Sequence, residues 1–497
     1  MRRSLTSHLP SKAALILAAT LLLGGVSFSR HLVAWAAAVL PDFPNWYTNG
    51  EEVGDVYGTA VEVVGDVNGD SIDDLLVGAP KATYNEYREG VVYAFYGSVM
   101  GLDTDHDWKA GSGITGAEFG SALAGVGDVD HDGYDDVLAG APAYIGDFPA
   151  CGAAFLYMGS PLGLETTPAW VFQGDKQDAG LGSAVDAAGD LNQDGYLDLL
   201  IGVHHYTEGE FNEGQVRVYL GSAAGFDSAS YWGFKSGQYG ASLGAAVAGA
   251  GDFNGDGFLD LAASAPYYDA TIADVVVKNT GAVYAFYGVA DGLPSTTEYW
   301  LATGATENEK FGLSIATAGD LNQDGFDDLL VGVPGYDATK VDQGAVYVYL
   351  GSPDGLPAAP SKVWVGPLPV VLNNQYIPSG FGSAVASGGD INTDGYLDVI
   401  VGAPTFTQNQ SAEGGIFIYF GVEQGLVDNY GWRNFGQQAS TLFGAAVASG
   451  DVNQDGRSDV LVGAPTHKLQ QNIVGRAAAF YAQPGFVYGS YLPLVSK

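Results

Sequence analysis

The sequence predicts an all-β protein that folds as a seven-bladed β-propeller with four strands in each blade. Three observations lead to this prediction: an acidic motif that occurs seven times, landmarks that keep the same spacing, and a composition rich in strand and turn residues. The chain has 497 residues, including 73 Gly, 29 Tyr and 23 Phe. Its hydrophobic fraction of 47% is large enough for a buried core.

The acidic motif first occurs as GDVNGDSIDDLLVGAP at residues 65–80, and six further copies follow. The first Asp of each copy lies at positions 66, 128, 190, 252, 320, 390 and 451. A Gly that follows an aromatic residue or Leu precedes every copy, and a Trp follows each of the first six. Self-similarity at a nearly constant period indicates a repeat architecture.

Each repeat unit divides into four short strands bounded by Gly, Asp and Pro turns. The first strand runs from the aromatic-Gly pair to the acidic motif, and the second is the apolar run that ends near Gly-Ala-Pro. The third strand alternates Val and Tyr, and the fourth carries the Trp. Four strands in each of seven units indicate a seven-bladed propeller.

The two ends of the repeat region predict how the ring closes. The last unit ends after its third strand, RAAAFYAQ at residues 476–483, whereas Trp46 lies in a fourth strand with no unit before it. We therefore expect this N-terminal strand to complete the last blade, which removes two exposed sheet edges. An open solenoid is the alternative. Its end units would be expected to be atypical caps, whereas the end units of this sequence keep the repeat pattern.

The order of basic, apolar and small residues in 1–38 is typical of a secretory signal peptide. An uncleaved membrane anchor is the alternative, because the apolar run is close to membrane-spanning length. The propeller is predicted over residues 39–486, and residues 487–497 form a C-terminal tail. Cys151 is the only cysteine, so no intrachain disulfide is expected.

The net charge of −38 excludes nucleic-acid binding through a basic face. Together with the signal peptide, it predicts a secreted or cell-surface protein that does not insert into a membrane once the signal is cleaved. We expect this protein to be monomeric.

The common pattern of the acidic loops is D-x-[DN]-x-D-G-x-x-D, whose positions one to nine are used throughout. Calcium prefers six to eight oxygen ligands, and alternate residues of a tight loop can point oxygens at one ion. Side chains at positions one, three, five and nine and the carbonyl at position seven would supply them, for up to seven Ca²⁺. The predicted ligands are Asp66, Asn68, Asp70, Ile72, Asp74, Asp128, Asp130, Asp132, Tyr134, Asp136, Asp190, Asn192, Asp194, Tyr196, Asp198, Asp252, Asn254, Asp256, Phe258, Asp260, Asp320, Asn322, Asp324, Phe326, Asp328, Asp390, Asn392, Asp394, Tyr396, Asp398, Asp451, Asn453, Asp455, Arg457 and Asp459.

Three alternatives explain the acidic loops less well than calcium binding does. An EF-hand needs a Glu at position twelve, where all seven copies have an apolar residue. A metal-free Asp/Gly turn explains one copy more easily than seven copies with carboxylates at fixed positions. Magnesium prefers fewer protein ligands and more water.

The first loop differs from the other six, because Ser71 stands where they have Gly. A positive φ at this position costs a non-Gly residue on the order of 1 kcal/mol. The first loop is therefore predicted to be the weakest or most distorted of the seven sites.

With the aromatic-Gly pairs, the Gly-Ala-Pro ends and the acidic loops between them, the sequence resembles the FG-GAP repeats of the integrin alpha-chain propeller. The resemblance covers nearly all of residues 45–486. It implies that the metal loops lie on a lower face and stabilise the blades, while ligands bind loops on the upper face. All seven units carry the loop here, in contrast to integrin alpha chains, and the chain is more similar to secreted bacterial-type FG-GAP proteins.

Two segments are longer than their counterparts in the other units: the loop at 267–280, and the segment between Trp364 and Gly382. Both are predicted to lie on the face opposite the metal loops, in neighbouring blades. The candidate ligand contacts there are Tyr267, Tyr268, Asp269 and Tyr376. Neutral variation in loop length is the alternative.

The favoured function is an extracellular recognition or adhesion module that binds a protein or glycan ligand. The alternatives are a polysaccharide-active propeller enzyme and a purely structural protein of the cell envelope. No nucleophile elbow, phosphate loop or zinc motif is recognised in the sequence, so a non-enzymatic role is expected. The pair His204-His205 is interpreted as part of a solvated loop.

Overall fold

The computed structural model describes residues 40–483, apart from residues 291, 340, 341, 369, 373, 374, 424 and 425 and the side chains of residues 371, 372, 375 and 376. Within these residues the chain forms 34 β-strands and no helix. The predicted signal peptide and C-terminal tail lie outside the described residues, as do both ends of the predicted propeller range. No helix in the described part of the chain is long and apolar enough to cross a membrane.

Twenty-eight of the strands form seven antiparallel sheets of four strands each, which are the blades. The first strand, β1 (Trp46–Asn49), belongs to the last blade. The strands of blades 1 to 3 are β2 (Ala60–Val63), β3 (Leu75–Ala79), β4 (Val91–Phe95) and β5 (Trp108–Gly111); β6 (Ala122–Gly127), β7 (Asp136–Ala141), β8 (Ala153–Tyr157) and β9 (Trp170–Gln173); β10 (Leu181–Gly189), β11 (Asp198–Val203), β12 (Gln215–Tyr219) and β13 (Trp232–Lys235).

Blades 4 to 7 follow the same order and include three additional two-stranded hairpins between their blade strands. Their strands are β14 (Val247–Gly251), β15 (Asp260–Ala265), β16 (Ala270–Ile272), β17 (Val275–Val277), β18 (Ala282–Phe286) and β19 (Trp300–Thr303); β20 (Ser314–Gly319), β21 (Asp328–Val333), β22 (Ala345–Tyr349) and β23 (Lys362–Val365); β24 (Val370–Leu372), β25 (Gln375–Ile377), β26 (Ala384–Gly389), β27 (Asp398–Ala403), β28 (Gly415–Tyr419) and β29 (Trp432–Phe435); β30 (Ala446–Gly450), β31 (Asp459–Ala464), β32 (Lys468–Leu469), β33 (Asn472–Ile473) and β34 (Arg476–Phe480). The fold is therefore the predicted all-β, seven-bladed propeller.

The second strand of each blade is buried along its whole length. Such a strand lies between two hydrogen-bonded neighbours, and the adjacent blades cover both of its faces. This explains why its sequence after the position-nine Asp is a continuous apolar run, as in LLVGV at residues 329–333 of β21, instead of alternating with polar residues. The first strand of each blade is only partly buried, because it borders the axis of the ring.

The ring closes through the last blade, whose strand order is β1-β34-β31-β30. β1 pairs antiparallel with β34, so that Trp46 lies opposite Ala479 and Asn49 lies opposite Arg476. Among the innermost strands, β2 contacts both β6 of the next blade and β30 of the last. The N-terminal strand thus occupies the outer position that the seventh unit leaves vacant.

Close backbone contacts between glycines join neighbouring blades. Within one blade, the Gly of the aromatic-Gly pair donates its N–H to the carbonyl oxygen of the glycine in Gly-Ala-Pro. Gly120, for example, donates to Gly140 at 2.9 Å. A Cβ added to Gly140 would collide with the carbonyl oxygen of Gly182 in the next blade. The same contact joins Gly463 of the last blade to Gly58 of the first. In blade 4, Ser264 replaces this glycine, and its buried hydroxyl accepts the N–H of Ala246.

We predict that Gly140→Ala destabilises the propeller by about 1–3 kcal/mol, because a backbone carbonyl cannot move away from the added methyl group. Gly209→Ala is the matched control, since a Cβ there would lie 3.7 Å from its nearest neighbour, Glu213, at a position without positive φ. Urea unfolding of both variants measures the difference. Equal free energies of unfolding for the two variants would contradict the proposed role of the glycine contacts.

Candidate metal centre

Each acidic loop connects the first and second strands of its blade and is organised around the Asp at position one. In the second loop, Asp128 accepts the N–H of Asp132 at 3.0 Å with one oxygen and the N–H of Gly133 at 2.8 Å with the other. Equivalent pairs of hydrogen bonds occur in all the other loops. The loop backbone therefore curls around a carboxylate, as Asp-rich turns do.

The Asp at position nine is fully buried in every loop. One oxygen of Asp136 accepts the N–H of Val129 in the loop, and the other accepts the N–H of Gly159 after the third strand, both at 2.8 Å. One carboxylate thus fastens the loop to the end of the third strand. The same two bonds are present for Asp74, Asp198, Asp260, Asp328 and Asp398, and Asp459 is bound by Ala482 and Asn453.

Burial raises the pKa of all seven position-nine carboxyls, and the backbone N–H donors partly offset this effect by lowering it. Nearby acidic side chains raise the pKa further. They are at positions one and five of the loop, or at positions one and three in the second loop. The pKa reaches about 7 for Asp136, Asp198, Asp260 and Asp328. It reaches about 8 for Asp74, Asp398 and Asp459. Without a bound cation, each loop therefore favours a proton on its buried carboxyl near neutral pH.

The second loop tests whether these residues fit a calcium ion. One oxygen from each of Asp128, Asp130 and Asp136 lies within 4.8 Å of the others. Calcium–oxygen distances of about 2.3–2.6 Å allow two ligands of one ion to be up to about 5 Å apart, so these oxygens fit one calcium ion. The carbonyl of Tyr134 at position seven accepts no hydrogen bond from the described residues and is available as a further ligand.

The other six loops carry Asn instead of Asp at position three. In four of them the Asn amide donates to the position-five carboxylate, for example from Asn254 to Asp256 at 2.9 Å. The donor set remains entirely oxygen, which suits a hard cation, although these loops have one carboxylate fewer.

The backbone at position six has the predicted positive φ in every loop. Ser71 has φ 68°, and Gly133 in the next loop has φ 95°. Ser71 nevertheless keeps the loop hydrogen bond, donating its N–H to Asp66 at 2.6 Å. Position four is also left-handed in every loop, for example at His131 with φ 63°, a feature that the sequence pattern did not reveal.

In three loops an Asp at position eight links neighbouring loops, and this role was missed in the sequence. Asp73 accepts the N–H of Asp451 in the last blade at 2.8 Å. Asp135 and Asp327 make the same bond to the preceding loops. Asp73 is therefore a contact between the first and last blades and not a spare carboxylate of the first loop.

On the opposite face, the candidate residues in 267–280 have different environments. Tyr267 is 41% exposed, whereas Tyr268 packs against the core of blade 4. Asp269 pairs with Lys278 and accepts the N–H of Asn279 at 2.9 Å, so it holds the base of the β16–β17 hairpin. Tyr376 lies in β25, and its side chain is outside the described part of the chain.

The loops of this opposite face expose further aromatic side chains that the sequence reasoning did not select. Phe211 and Tyr239 are 56% and 65% exposed, and their ring centroids lie 5.7 Å apart. The other exposed aromatic residues of these loops are Tyr84, Tyr87 and Phe148. We call the face that carries these exposed aromatic side chains the aromatic loop face.

His204 and His205 also lie on the aromatic loop face, beside a cavity of about 430 Å³ that Asp178 and Glu118 help to line. The two imidazole centroids are 3.7 Å apart. Burial lowers the pKa of His204 to about 4, and its Nδ1 has no hydrogen-bond partner among the described residues. His204 is therefore a partly buried neutral side chain, in contrast to the solvated loop residue that the sequence suggested.

The inner strands enclose an axial channel of about 530 Å³ that carries two carboxylates. Glu62 and Asp186 occupy the same register position in blades 1 and 3, where the other five blades have Ala. Burial raises the pKa of Glu62 to about 8 and that of Asp186 to about 6. Asp186 accepts the N–H of Gly249 at 3.0 Å.

Comparison with known proteins agrees with the repeat pattern. The family model described as FG-GAP repeat matches residues 57–95, 119–153, 243–286, 311–349, 381–419 and 443–480. A second model, described as FG-GAP-like repeat, matches residues 190–263. Together the two models cover every repeat unit and more than half of the chain.

Curated relatives include integrin alpha-5 of Xenopus laevis, which is 35% identical over 217 residues, or 44% of this chain and 19% of the relative. Integrin alpha-8 of Mus musculus is 32% identical over 233 residues, or 46% of this chain and 20% of the relative. The phosphatidylinositol-glycan-specific phospholipase D of Mus musculus is 34% identical over 179 residues, or 34% of this chain and 20% of the relative.

The chain thus spans about a fifth of the length of the curated relatives that it matches. The chain belongs to the FG-GAP repeat family, and its fold is an integrin alpha-like β-propeller.

Proposed function

We propose that this protein is an extracellular recognition or adhesion module whose blades are stabilised by calcium. The observation that carries the proposal is the combination, on one ring, of seven acidic loops with similarly hydrogen-bonded carboxylates on one face and exposed aromatic residues on the other. The similarity to integrin alpha chains supports an extracellular, cell-surface role. Export through the signal peptide of residues 1–38 is part of the same proposal.

The proposed ligands of calcium are the loop residues at positions one, three, five, seven and nine. A bound divalent cation would supply the positive charge that these carboxylates lack. The position-nine Asp already orients both of its oxygens through backbone N–H donors, so little reorganisation is needed to receive an ion. Because this Asp also holds the third strand, the cation would stabilise the blade as well as the loop.

The aromatic loop face is the proposed site for an extracellular protein or glycan ligand. Aromatic side chains are enriched in interface centres, because they bury a large area at small conformational cost. Phe211 and Tyr239 come from different connections, within blade 3 and between blades 3 and 4, so a ligand would bridge blades. Tyr267 extends the same surface into blade 4.

We predict that chelation lowers the melting temperature and that the effect grows with pH. In the metal-free protein the position-nine pKa is raised, so the folded state retains protons that the unfolded chain releases above about pH 4. The free energy of unfolding therefore falls as pH rises from about 4 to about 8. Calcium needs the deprotonated carboxylate, so its stabilising effect increases over the same range.

Differential scanning calorimetry in calcium and in EDTA, at about pH 5 and about pH 8, measures this effect. We expect the difference in melting temperature to be larger at the higher pH. Identical melting temperatures in calcium and EDTA at both pH values would refute calcium stabilisation. Repetition with magnesium in place of calcium serves as the control for cation selectivity.

The first loop offers a reciprocal test of the position-six residue. Ser71→Gly removes a side chain from a residue with φ 68° and is predicted to stabilise the protein by up to about 1 kcal/mol and to tighten the first site. Gly133→Ser places the same strain in the second loop and is predicted to weaken that site by a similar amount. Terbium luminescence titration and thermal unfolding measure both variants. Shifts in the same direction for the two variants would contradict the prediction.

The aromatic loop face is tested with the double variant Phe211→Ser/Tyr239→Ser. We expect this variant to lose at least tenfold in affinity for a protein found on an array of purified extracellular matrix and cell-surface proteins, because interface aromatics commonly contribute about 2 kcal/mol or more. The control is Leu162→Ser, at a side chain that is 93% exposed on the metal-loop face. Binding that survives the double variant, or that the control also removes, would exclude this face as the binding site.

A further inference from the structure

We propose that a saccharide binds in a pocket between blades 2 and 3, on the same face as the acidic loops. The pocket has a volume of about 340 Å³ and is lined by Asp130, His131, Trp170, Tyr196 and Phe226. It is separate from the aromatic loop face, which lies at the other ends of the strands. The proposal therefore does not depend on a ligand binding to that face.

Within the described part of the chain, Trp170 lacks a hydrogen bond that the corresponding Trp of most other blades makes. A Trp recurs in the fourth strand of each blade. In five blades its indole N–H donates to a main-chain carbonyl of the next blade, as Trp108 does to Glu165 at 3.1 Å and Trp232 to Pro294 at 3.0 Å. Trp170 makes no such bond among the described residues, although the corresponding carbonyl, of Asp227, is described. Since Trp170 lines the pocket and is partly exposed, its N–H is available to a ligand.

The junction between blades 2 and 3 also differs from the other blade junctions at three further positions, and all three residues line the same pocket. Asp130 stands where the other six loops have Asn, and His131 stands where they have Gln, Gly or Thr. Phe226 replaces the Leu found at this position in blades 1, 2, 4, 5 and 6. It packs edge-on against Trp170, with ring centroids 5.7 Å apart.

The chemistry of these groups indicates the kind of ligand. One oxygen of Asp130 accepts the N–H of Asp132 at 3.2 Å, and the other accepts no hydrogen bond from the described residues. A carboxylate has about four lone-pair sites, so Asp130 can ligate the proposed calcium ion and still accept a hydrogen bond from a ligand hydroxyl. The pocket thus offers a carboxylate acceptor and an indole donor, which a hydroxyl-rich ligand can satisfy together, because each hydroxyl both donates and accepts. An organic cation would pair with Asp130 but leave the Trp170 N–H without an acceptor.

The aromatic rings complete the site. His131 and Tyr196 are stacked across the two loops, with centroids 5.0 Å apart and an interplanar angle of 6°, so the two rings support each other and each keeps one outer face. Ring faces suit the C–H groups on the apolar side of a sugar ring. The volume is at the lower end for small-molecule sites, which favours one or two sugar units over a long chain.

The test uses a printed array of defined mono- and oligosaccharides, followed by saturation-transfer NMR and calorimetry on the bound sugars in calcium buffer. The variant Asp130→Asn/His131→Gln/Phe226→Leu carries the residues of sibling blades and is therefore expected to fold. Trp170→Phe keeps an aromatic ring but removes the N–H together with the five-membered ring of the indole. We expect both to weaken saccharide binding at least tenfold.

The matched control is Trp232→Phe, at the equivalent Trp whose N–H is already bonded to Pro294, and it should change the dissociation constant less than twofold. Retained saccharide binding in Phe211→Ser/Tyr239→Ser would separate this site from the aromatic loop face. The proposal is overturned if no saccharide binds the wild-type protein, if binding survives the triple variant, or if Trp232→Phe weakens it as much as Trp170→Phe. It is also overturned if tetramethylammonium binds in the pocket and saccharides do not.

Discussion

The buried carboxylate at position nine of each acidic loop is the group on which the rest of the blade depends. Asp136 shows why: it joins Val129 in the loop to Gly159 after the third strand, so one side chain positions three strands of the same sheet. A charge in this position is costly unless a proton or a cation compensates it. A net charge of −38, with only 19 basic residues in the chain, leaves few side chains to provide that compensation. Calcium is the compensation that the oxygen-only loops suit best.

The blades are coupled at both ends of their inner strands. Towards the aromatic loop face the glycine pairs bring backbones into contact, and on the metal-loop face the position-eight Asp of some loops caps an N–H of the preceding loop. The junction between the last and first blades uses both contacts, through Gly463 with Gly58 and Asp73 with Asp451. The ring therefore closes by the same chemistry that joins its other blades, with β1 added as the outer strand.

Much of the fold was predictable from the sequence, because the repeat gives seven aligned copies of the same constraints. The four strands of each blade, the unpaired strand at Trp46 and the positive φ at Ser71 all follow from comparing the copies. Contacts between copies were not predictable in this way. Within its own repeat Asp73 is one more acidic residue of the first loop, and only the packing of blade 1 on blade 7 gives it a partner. For the same reason, the free N–H of Trp170 depends on the neighbouring blade and is invisible in its own repeat.

The central claim is that the acidic loops hold calcium in the folded protein. Elemental analysis of the purified chain, after chelation and equilibrium dialysis against calcium, tests it most directly. We expect several calcium ions per chain, up to seven, with the first loop filling last because of Ser71. A chain that remains folded and retains no calcium at millimolar concentrations would contradict it.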